Sequence, residues 1–251
     1  MANSPFLPGT HLAPVFWLPD RLAAISAWWG HVPFAHWLMA AAQPRLVVEL
    51  GTHTGVSYAA FCRAVAERGL PTRCVAVDTW EGDPHAGHYD NAVFEELRTW
   101  HDTYYSSFSR LLRTRFDAAR PLFAPGSIDL LHIDGLHDYA SVRHDFETWL
   151  PTLTDRGVVL FHDTEVREGG FGVWRLWDEL RQRWPSFSFQ HGYGLGVLAV
   201  GAAPPAPVAA LCAASGTPDE AALRRFFAVP GERWMAEQAL RQAHAQIAAK
   251  A

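Results

Sequence analysis

Four short apolar runs, RLVVELG (45–51), RCVAVDTW (73–80), SIDLLHID (127–134) and GVVLFHD (157–163), carry an acid, an imidazole or a glycine at their far ends. Continuous runs of this length are those of parallel strands covered on both faces. Between them the spacing predicts helices: one carrying Tyr58, Phe61, Val65 and Leu70 and ending near Gly69 and Pro71, one from roughly Ala92 to Tyr105, and one from about Ser141 to Leu150. A weaker strand is read over Phe108 to Leu112. Strand and helix alternate, with crossovers long enough for helices, which is the pattern of an α/β, doubly wound parallel sheet. A further helix from about Gly172 to Trp184 precedes SFSFQHGYGLGVLAVG (186–201), which reads as two strands joined tightly around Gly192 and Gly194. The α/β sheet thus closes on a hairpin.

The flanks differ from this core. Residues 1–44 are rich in aromatics and prolines, including Trp17, Trp28, Trp29, Phe34 and Trp37, and read as a helical segment packed on a main domain over 45–201. Residues 202–217 form an Ala/Pro-rich connector, and 218–251 read as helix. There Ala236, Leu240, Ala243 and Ile247 recur at alternating spacing, the pattern either of a weak coiled-coil seam or of a packed terminal helix. With 251 residues, 49% of them hydrophobic, the chain can bury a full core. A formal net charge of -5 with no Lys/Arg run leaves no field for a phosphate backbone, so no nucleic-acid partner is expected. No stretch approaches the ~20 apolar residues of a membrane span and no secretory leader is evident, so the expected location is cytoplasmic. Cys62, Cys74 and Cys212 share no metal-ligand spacing and read as small buried hydrophobes.

Ligands of open parallel sheets bind beyond the carboxyl ends of the strands. The residues there are Glu49 with Gly51, Asp78, Asp134 with His137, and His162 with Asp163, where packing alone would place apolar side chains. In the turn GTHTGVS (51–57), Gly51 permits a sharp strand-to-helix turn and Gly55 a close backbone approach to a ligand. The helix N-terminal amides that follow favour an anionic group. The Gly-Lys pair of a Walker loop is missing and G-x-G-x-x-G is not met. Glu49 would repel a pyrophosphate but could hold an ammonium, which favours an amino-acid-like cofactor over NAD. Asp78, one crossover later, is placed to accept hydrogen bonds from two ribose hydroxyls. The only lysine is Lys250, so a base acting on a hydroxyl must be His, a carboxylate or Tyr.

ELGTHTGVSY, VDTWEGDPHAGHYDNAVFEELR, HIDGLHDYASVRHDFETWLPTL and GVVLFHDTEVREGGFGVWRLWDEL resemble, in continuous order over residues 45 to 200, the class I S-adenosylmethionine-dependent methyltransferases. They are most similar to the branch of bacterial sugar and natural-product O-methyltransferases, some encoded beside or fused to glycosyltransferases. The resemblance implies a Rossmann-like, three-layer seven-stranded sheet whose last strand is antiparallel. It also implies S-adenosyl-L-methionine as cofactor. Glu49 and the turn from Gly51 through Thr52 to Gly55, with Ser57 beyond it, would face the methionine part. Asp78 would bind the ribose, Phe116 and Asp117 would lie by the adenine, and Asp134 would border the cofactor. His53 departs from the glycine that many members carry there.

In metal-assisted relatives an acid ends the fourth strand and two adjacent ligands end the fifth. Asp134, His162 and Asp163 fall on those positions and either hold Mg²⁺ or another divalent cation or hydrogen-bond substrate and loop amides directly. His162 stands where a carboxylate or amide is common. His137 occupies the place of the general base, working beside Asp134, and an ordinary imidazole pKa of ~6.5 suits that task. Asp138 reads as a helix-start residue, and His144 and Asp145 as residues that face water or pack. Two loops are expected to shape the substrate site: 81–90 with Asp83, His85 and His88, and 164–172 with Arg167 and Glu168. Trp149, Trp174 and Trp177 occur at helical spacing and read as core, so only a pocket-facing Trp would bear on sugar stacking. The expectation is an O-methyltransferase acting on a small hydroxylated acceptor such as a sugar or glycoside, with a second copy or a glycosyltransferase as partner of the C-terminal helices. The alternatives are a nucleotide-sugar-linked oxidoreductase on a Rossmann sheet and a non-catalytic cofactor-binding module of a glycan-building assembly.

Overall fold

A computed structural model describes residues 12–21, 26–83 and 87–248. The apolar runs form β1 (Leu46–Leu50), β2 (Arg73–Asp78), β3 (Ser109–Arg113), β4 (Ile128–Ile133) and β5 (Leu153–His162), followed by β6 (Ser186–Phe189) and β7 (Leu195–Ala199). They lie in one sheet of order β3-β2-β1-β4-β5-β7-β6. Strands β1 to β5 pair in parallel, for instance Val47 with both Cys74 and Leu130. β7 runs antiparallel to β5, Phe161 facing Gly196, and β6 runs antiparallel to β7. The doubly wound sheet with a reversed last strand is therefore the fold the sequence led us to expect. β5 starts at Leu153, earlier than its apolar run, with a register shift between Ile128 and Leu130 on its neighbour.

Alternation along each strand sends side chains into two apolar layers. Val47, Cys74, Ala76, Leu130, Val158 and Leu160 face α1 (Val32–Ala42) and α2 (Val56–Arg68), while Val48, Leu50, Val77, Leu131, Val159 and Phe161 face the helices of the opposite layer. Those helices are α5 (Tyr139–Trp149) and α6 (Val173–Leu180); α3 (Asn91–Tyr104) and the short α4 (Phe116–Ala119) flank β3. Both layers are fully buried, at about 1.5–3 kcal/mol for each large apolar side chain. α2 starts at Gly55 (φ 82°) and stops at Gly69 (φ 58°), both left-handed positions that favour glycine. α5 starts where the Asp138 carboxylate accepts hydrogen bonds from the amides of Ala140 (3.0 Å) and Ser141 (3.1 Å).

The stretch expected as an Ala/Pro-rich connector instead contains α7 (Ala206–Ala213). Its prolines fall at the cap and in the first turn, where a missing amide proton costs nothing, and its alanines favour helix. Val208, Leu211 and Cys212 are buried in the same apolar cluster as α1 and the β6–β7 hairpin. α8 (Asp219–Ala248) follows. It packs through Leu223, Phe227 and Trp234, whereas Leu240 and Ile247 of the apolar seam are exposed. No helix among the described residues is long and apolar enough to cross a membrane.

Candidate active site

A cleft of about 760 Å³ opens at the carboxyl ends of β1, β2, β4 and β5. On its β1–β2 side the wall is backbone. Gly51 has φ 86°, and a Cβ built on it would lie 2.0 Å from the Asp134 carbonyl oxygen, so the turn after β1 rests against the end of β4. The Asp78 carboxylate pins the turn: Oδ2 accepts hydrogen bonds from the amides of Thr52 (2.7 Å) and His53 (2.9 Å), and Oδ1 from the amide of Trp80 (2.7 Å). His53 has φ 48°, a conformation that explains why glycine suits this position, and its ring stacks on Tyr89 at 4.3 Å. Thr52 and Ser57 line the cleft, both buried, and Thr52 Oγ1 has no hydrogen-bond partner. Phe116 and Asp117 also line it. A Cβ on Gly135 would meet the Phe116 ring at 2.5 Å. Asp117 Oδ1 lies 2.8 Å from His144 Nε2 in an exposed pair, the kind that contributes little to stability.

Glu49 lies behind the cleft wall. It does not line the cleft. Alternation along β1 turns it, like Val47, into the α1–α2 layer, where it is fully buried and its Oε2 lies 2.8 Å from His132 Nδ1. Its Oε1 has no hydrogen-bond partner. As drawn by the fold, this carboxylate braces His132 from below rather than meeting a ligand ammonium.

On the β4–β5 side the wall is made of side chains. Asp134 Oδ1 lies 3.3 Å from His162 Nδ1 and 3.6 Å from His137 Nε2, and Asp163 Oδ2 lies 2.9 Å from His137 Nε2 and 3.3 Å from His162 Nδ1. Asp163 adopts φ 61°, a strained position for a non-glycine residue that turns its carboxylate into the cleft. His162 Nε2 donates to the carbonyl of Gly192 at 3.0 Å, which turns Nδ1 towards the two carboxylates. Burial alone would lower the His137 imidazole, but Asp134 and Asp163 outweigh it and raise it to about 9. Burial would likewise lower His162, yet the same two acids carry it well above the ordinary value. Asp134 would be raised by burial but is held well below the usual carboxylate range by His162 and His137. Each imidazole thus has a ring nitrogen facing both carboxylates. Suitable ligand atoms of Asp134, His162 and Asp163 lie within 4.8 Å of one another.

Several wall residues escaped the sequence. Trp28, from the short helical turn Ala27–Gly30, is the pocket-facing Trp: its Nε1 donates to Asp134 Oδ2 at 3.1 Å. Only the aromatic density of the N-terminal segment pointed that way. Asp145, expected to face water or pack, is buried on the cleft wall, where loss of solvent pushes its carboxyl up to about 7. Phe171, stacked on His137 at 4.6 Å, and the exposed Tyr193 line the mouth with Glu168. Arg167 does not line the cleft: it is exposed and its guanidinium lies over Trp174, 4.8 Å from the ring centroid. His88 is exposed on a two-residue strand, Gly87–His88, paired with Gly82–Asp83, and also stays off the wall; Tyr89 takes its place. Both loops are polar and glycine-rich, so their side-chain directions are set by turns that no periodicity reveals. The Asp83 side chain and His85 lie outside the described residues. Trp149 and Trp177 are core, as expected.

Residues 48–164 match the family profile described as a methyltransferase domain. The matched segment is thus a methyltransferase domain, carried on a sheet of order 3-2-1-4-5-7-6 with a reversed last strand. The protein y4gI of Sinorhizobium fredii is 53% identical over 173 residues, which is 69% of this chain and 19% of that protein, so the chain spans about a fifth of this relative's length. Cofactor-bound Rv0187 from MTB has a similar fold, with TM-score 0.54 and 18% identity over 72% of this chain and 84% of that one. So does the O-methyltransferase TomG of Streptomyces achromogenes in complex with SAM, with TM-score 0.51 and 20% identity over 73% and 83% of the two chains. SAH-bound PaMTH1 of Podospora anserina gives TM-score 0.53 and 13% identity over 76% and 88%.

Proposed function

We propose that this chain is an S-adenosylmethionine-dependent O-methyltransferase that acts on a small hydroxylated acceptor of the sugar or glycoside class. One observation carries the reading: the Asp134, His137, His162 and Asp163 side chains converge on the same cleft that the Gly51 turn and Asp78 border. The β1–β2 wall fits the cofactor, because Thr52 Oγ1 is buried there without a partner and the glycine turn presents backbone to the cleft. Thr52, Ser57 and Asp78 would hold its methionine and ribose parts, with Phe116 and Asp117 at the base; Glu49 would act through His132. When bound, S-adenosylmethionine supplies the electrophilic methyl and the driving force. The chain's own work is to align the acceptor oxygen, exclude water and take up its proton.

His137 is the proposed proton acceptor. Because its partners here are Asp134 and Asp163, it can accept a proton only when those carboxylates turn to another donor or cation. The Asp134, His162 and Asp163 atoms fit a divalent cation, since the hydrogen bond from His162 Nε2 to Gly192 directs Nδ1 at the same point as the two carboxylates. A cation held by them would lower the acceptor hydroxyl's pKa. The acceptor end of the wall offers Asp134, Asp163 and Glu168, the imidazoles of His137 and His162, and the rings of Phe171 and Tyr193, and Arg115 also lines the cleft. Its carboxylates can accept hydrogen bonds from hydroxyls, and its rings suit the flat C–H faces of a sugar. For the C-terminal partner, a second copy or a glycosyltransferase, the exposed Leu240 and Ile247 of α8 supply apolar surface.

The test is product mass: incubation with S-adenosylmethionine and a panel of sugars and glycosides, with a gain of one CH₂ expected. His137→Ala should cut turnover by about 10²-fold or more, with S-adenosylhomocysteine binding unchanged. Undiminished turnover in that variant removes the role of His137. Full rate after exhaustive chelation removes the cation, and binding of NAD instead of S-adenosylhomocysteine rejects the whole reading.

A further inference from the structure

Asp134 divides its two oxygens between opposite sides. Oδ1 faces His162 Nδ1 at 3.3 Å and His137 Nε2 at 3.6 Å. Oδ2 accepts the indole proton of Trp28 at 3.1 Å, with His132 Nε2 behind it at 4.0 Å. A carboxylate at the end of a strand rotates freely about its side-chain bonds unless something fixes one oxygen, and an indole N–H is a donor with no acceptor role to distract it.

Trp28 is itself well fixed. It is 3% exposed, and its ring lies between His132 (4.7 Å), His31 (5.5 Å), His162 (5.7 Å) and Phe61 (5.9 Å). The segment that carries it is tied to the β6–β7 hairpin at two points: His191 Nε2 pairs with the Gly30 carbonyl at 2.9 Å, and His31 Nε2 with the Gly192 carbonyl at 3.2 Å. That Gly192 carbonyl is the one that orients His162. Gly192 has φ 55°, and a Cβ there would come 2.6 Å from the Ala27 carbonyl oxygen, so hairpin and N-terminal segment meet without room for a side chain. One clamp, built from parts of the chain more than 160 positions apart, therefore holds both Asp134 and His162 from behind.

We propose that Trp28 is a positioning residue for the cation site: its indole N–H occupies Oδ2 of Asp134, so that this carboxylate meets a divalent cation through Oδ1 alone, beside His162 Nδ1 and Asp163 Oδ2. This rests on the cation reading above and adds a residue outside the matched family segment, which starts at residue 48. Outer-shell donors of this kind set ligand geometry, and their loss weakens metal affinity by about 10–100-fold.

The experiment is a Mn²⁺ titration followed by the electron paramagnetic resonance signal of the free ion, on the full chain without acceptor, with S-adenosylhomocysteine affinity measured in parallel. Trp28→Phe removes the N–H and keeps an aromatic ring. Site-specific replacement of Trp28 by β-(3-benzothienyl)alanine keeps the bicycle and exchanges N–H for sulfur, so it remains informative if the smaller ring destabilises the fold. Both variants should bind Mn²⁺ about 10–100-fold more weakly and bind S-adenosylhomocysteine as before. A benzothienyl variant with unchanged Mn²⁺ affinity overturns the proposal, as does a lowered melting temperature with no change in Mn²⁺ affinity, which would mean that Trp28 only packs. Wild-type protein that takes up no Mn²⁺ overturns the cation reading and this inference together, so the wild-type titration tests the first and the variant-to-wild-type ratio tests the second.

Discussion

The two walls of the cleft are held by different kinds of contact. On the β1–β2 side one carboxylate, Asp78, collects three backbone amides from residues 52, 53 and 80 and so fixes the main chain of the turn. On the β4–β5 side the contacts run between side chains, imidazole to carboxylate and indole to carboxylate, drawn from residues as far apart as Trp28 and His162. A wall of backbone needs only glycines at the right places and an acid to pin them, and so it appears in the sequence as a short motif. A wall of side chains needs the whole fold to bring its members together. The first is tolerant of what the side chains around it are and intolerant of any added Cβ; the second is the reverse.

The harshest way to break this distinction is Gly51→Ala, because a single methyl reaches both walls. With φ 86° and an added Cβ 2.0 Å from the Asp134 carbonyl oxygen, the turn must shift and push the end of β4 with it. Backbone strain and overpacking together should cost about 2–5 kcal/mol of stability. S-adenosylhomocysteine affinity should fall as well, read by urea denaturation and calorimetric titration of the same preparation. An alanine variant that keeps its stability and its ligand would mean that the β1 turn and β4 are not in the contact described.

Asp145 sharpens the comparison, since it is a buried carboxyl on the same wall. Burial raises its carboxyl to about 7, with Asp117 on α4 and Asp138 at the start of α5 pushing the same way and His144 on α5 offsetting part. A folded-state value above the unfolded one means that the folded protein holds the extra proton. The stability from this group is therefore complete below pH ~4 and declines as pH rises towards about 7, beyond which the full penalty remains. Asp145→Asn keeps the shape and removes the titration. It should be about 2–4 kcal/mol more stable than wild type at pH 8, converging with it near pH 4, in urea denaturation of the ligand-free protein. A wild-type profile that is flat across this window would place the Asp145 carboxylate in contact with water or with a donor.

How far the sequence disclosed these walls follows the same division. β1, β2, β4 and β5 were legible because a strand buried on both faces must be continuously apolar, and their polar tips marked the mouth of the cleft. The reversed β7 was legible from the glycines that close its hairpin. The inward turn of Glu49 beside Val47 follows from two-residue alternation, which strand-end position alone does not convey. Trp28 could not be found, since nothing local distinguishes it from Trp29, whose Nε1 has no partner; 106 positions separate Trp28 from the acid it holds. α7 was hidden by its prolines, which suggest a linker until their place in the first turn is known.

The smallest effect is expected where sequence and structure disagree about the acceptor wall. Arg167 was expected to grip substrate hydroxyls, yet its guanidinium lies 4.8 Å from the Trp174 ring centroid and away from the cleft. An exposed contact of this kind is worth about 0.5–1 kcal/mol, so Arg167→Ala should lower the unfolding free energy by no more than that and leave turnover on the methyl acceptor unchanged. The comparison with His137→Ala is then direct, because both residues lie on loops beyond β4 and β5 and only one faces the wall. A tenfold fall in turnover for Arg167→Ala at unchanged stability would show that the 164–172 loop turns Arg167 inward when the acceptor binds.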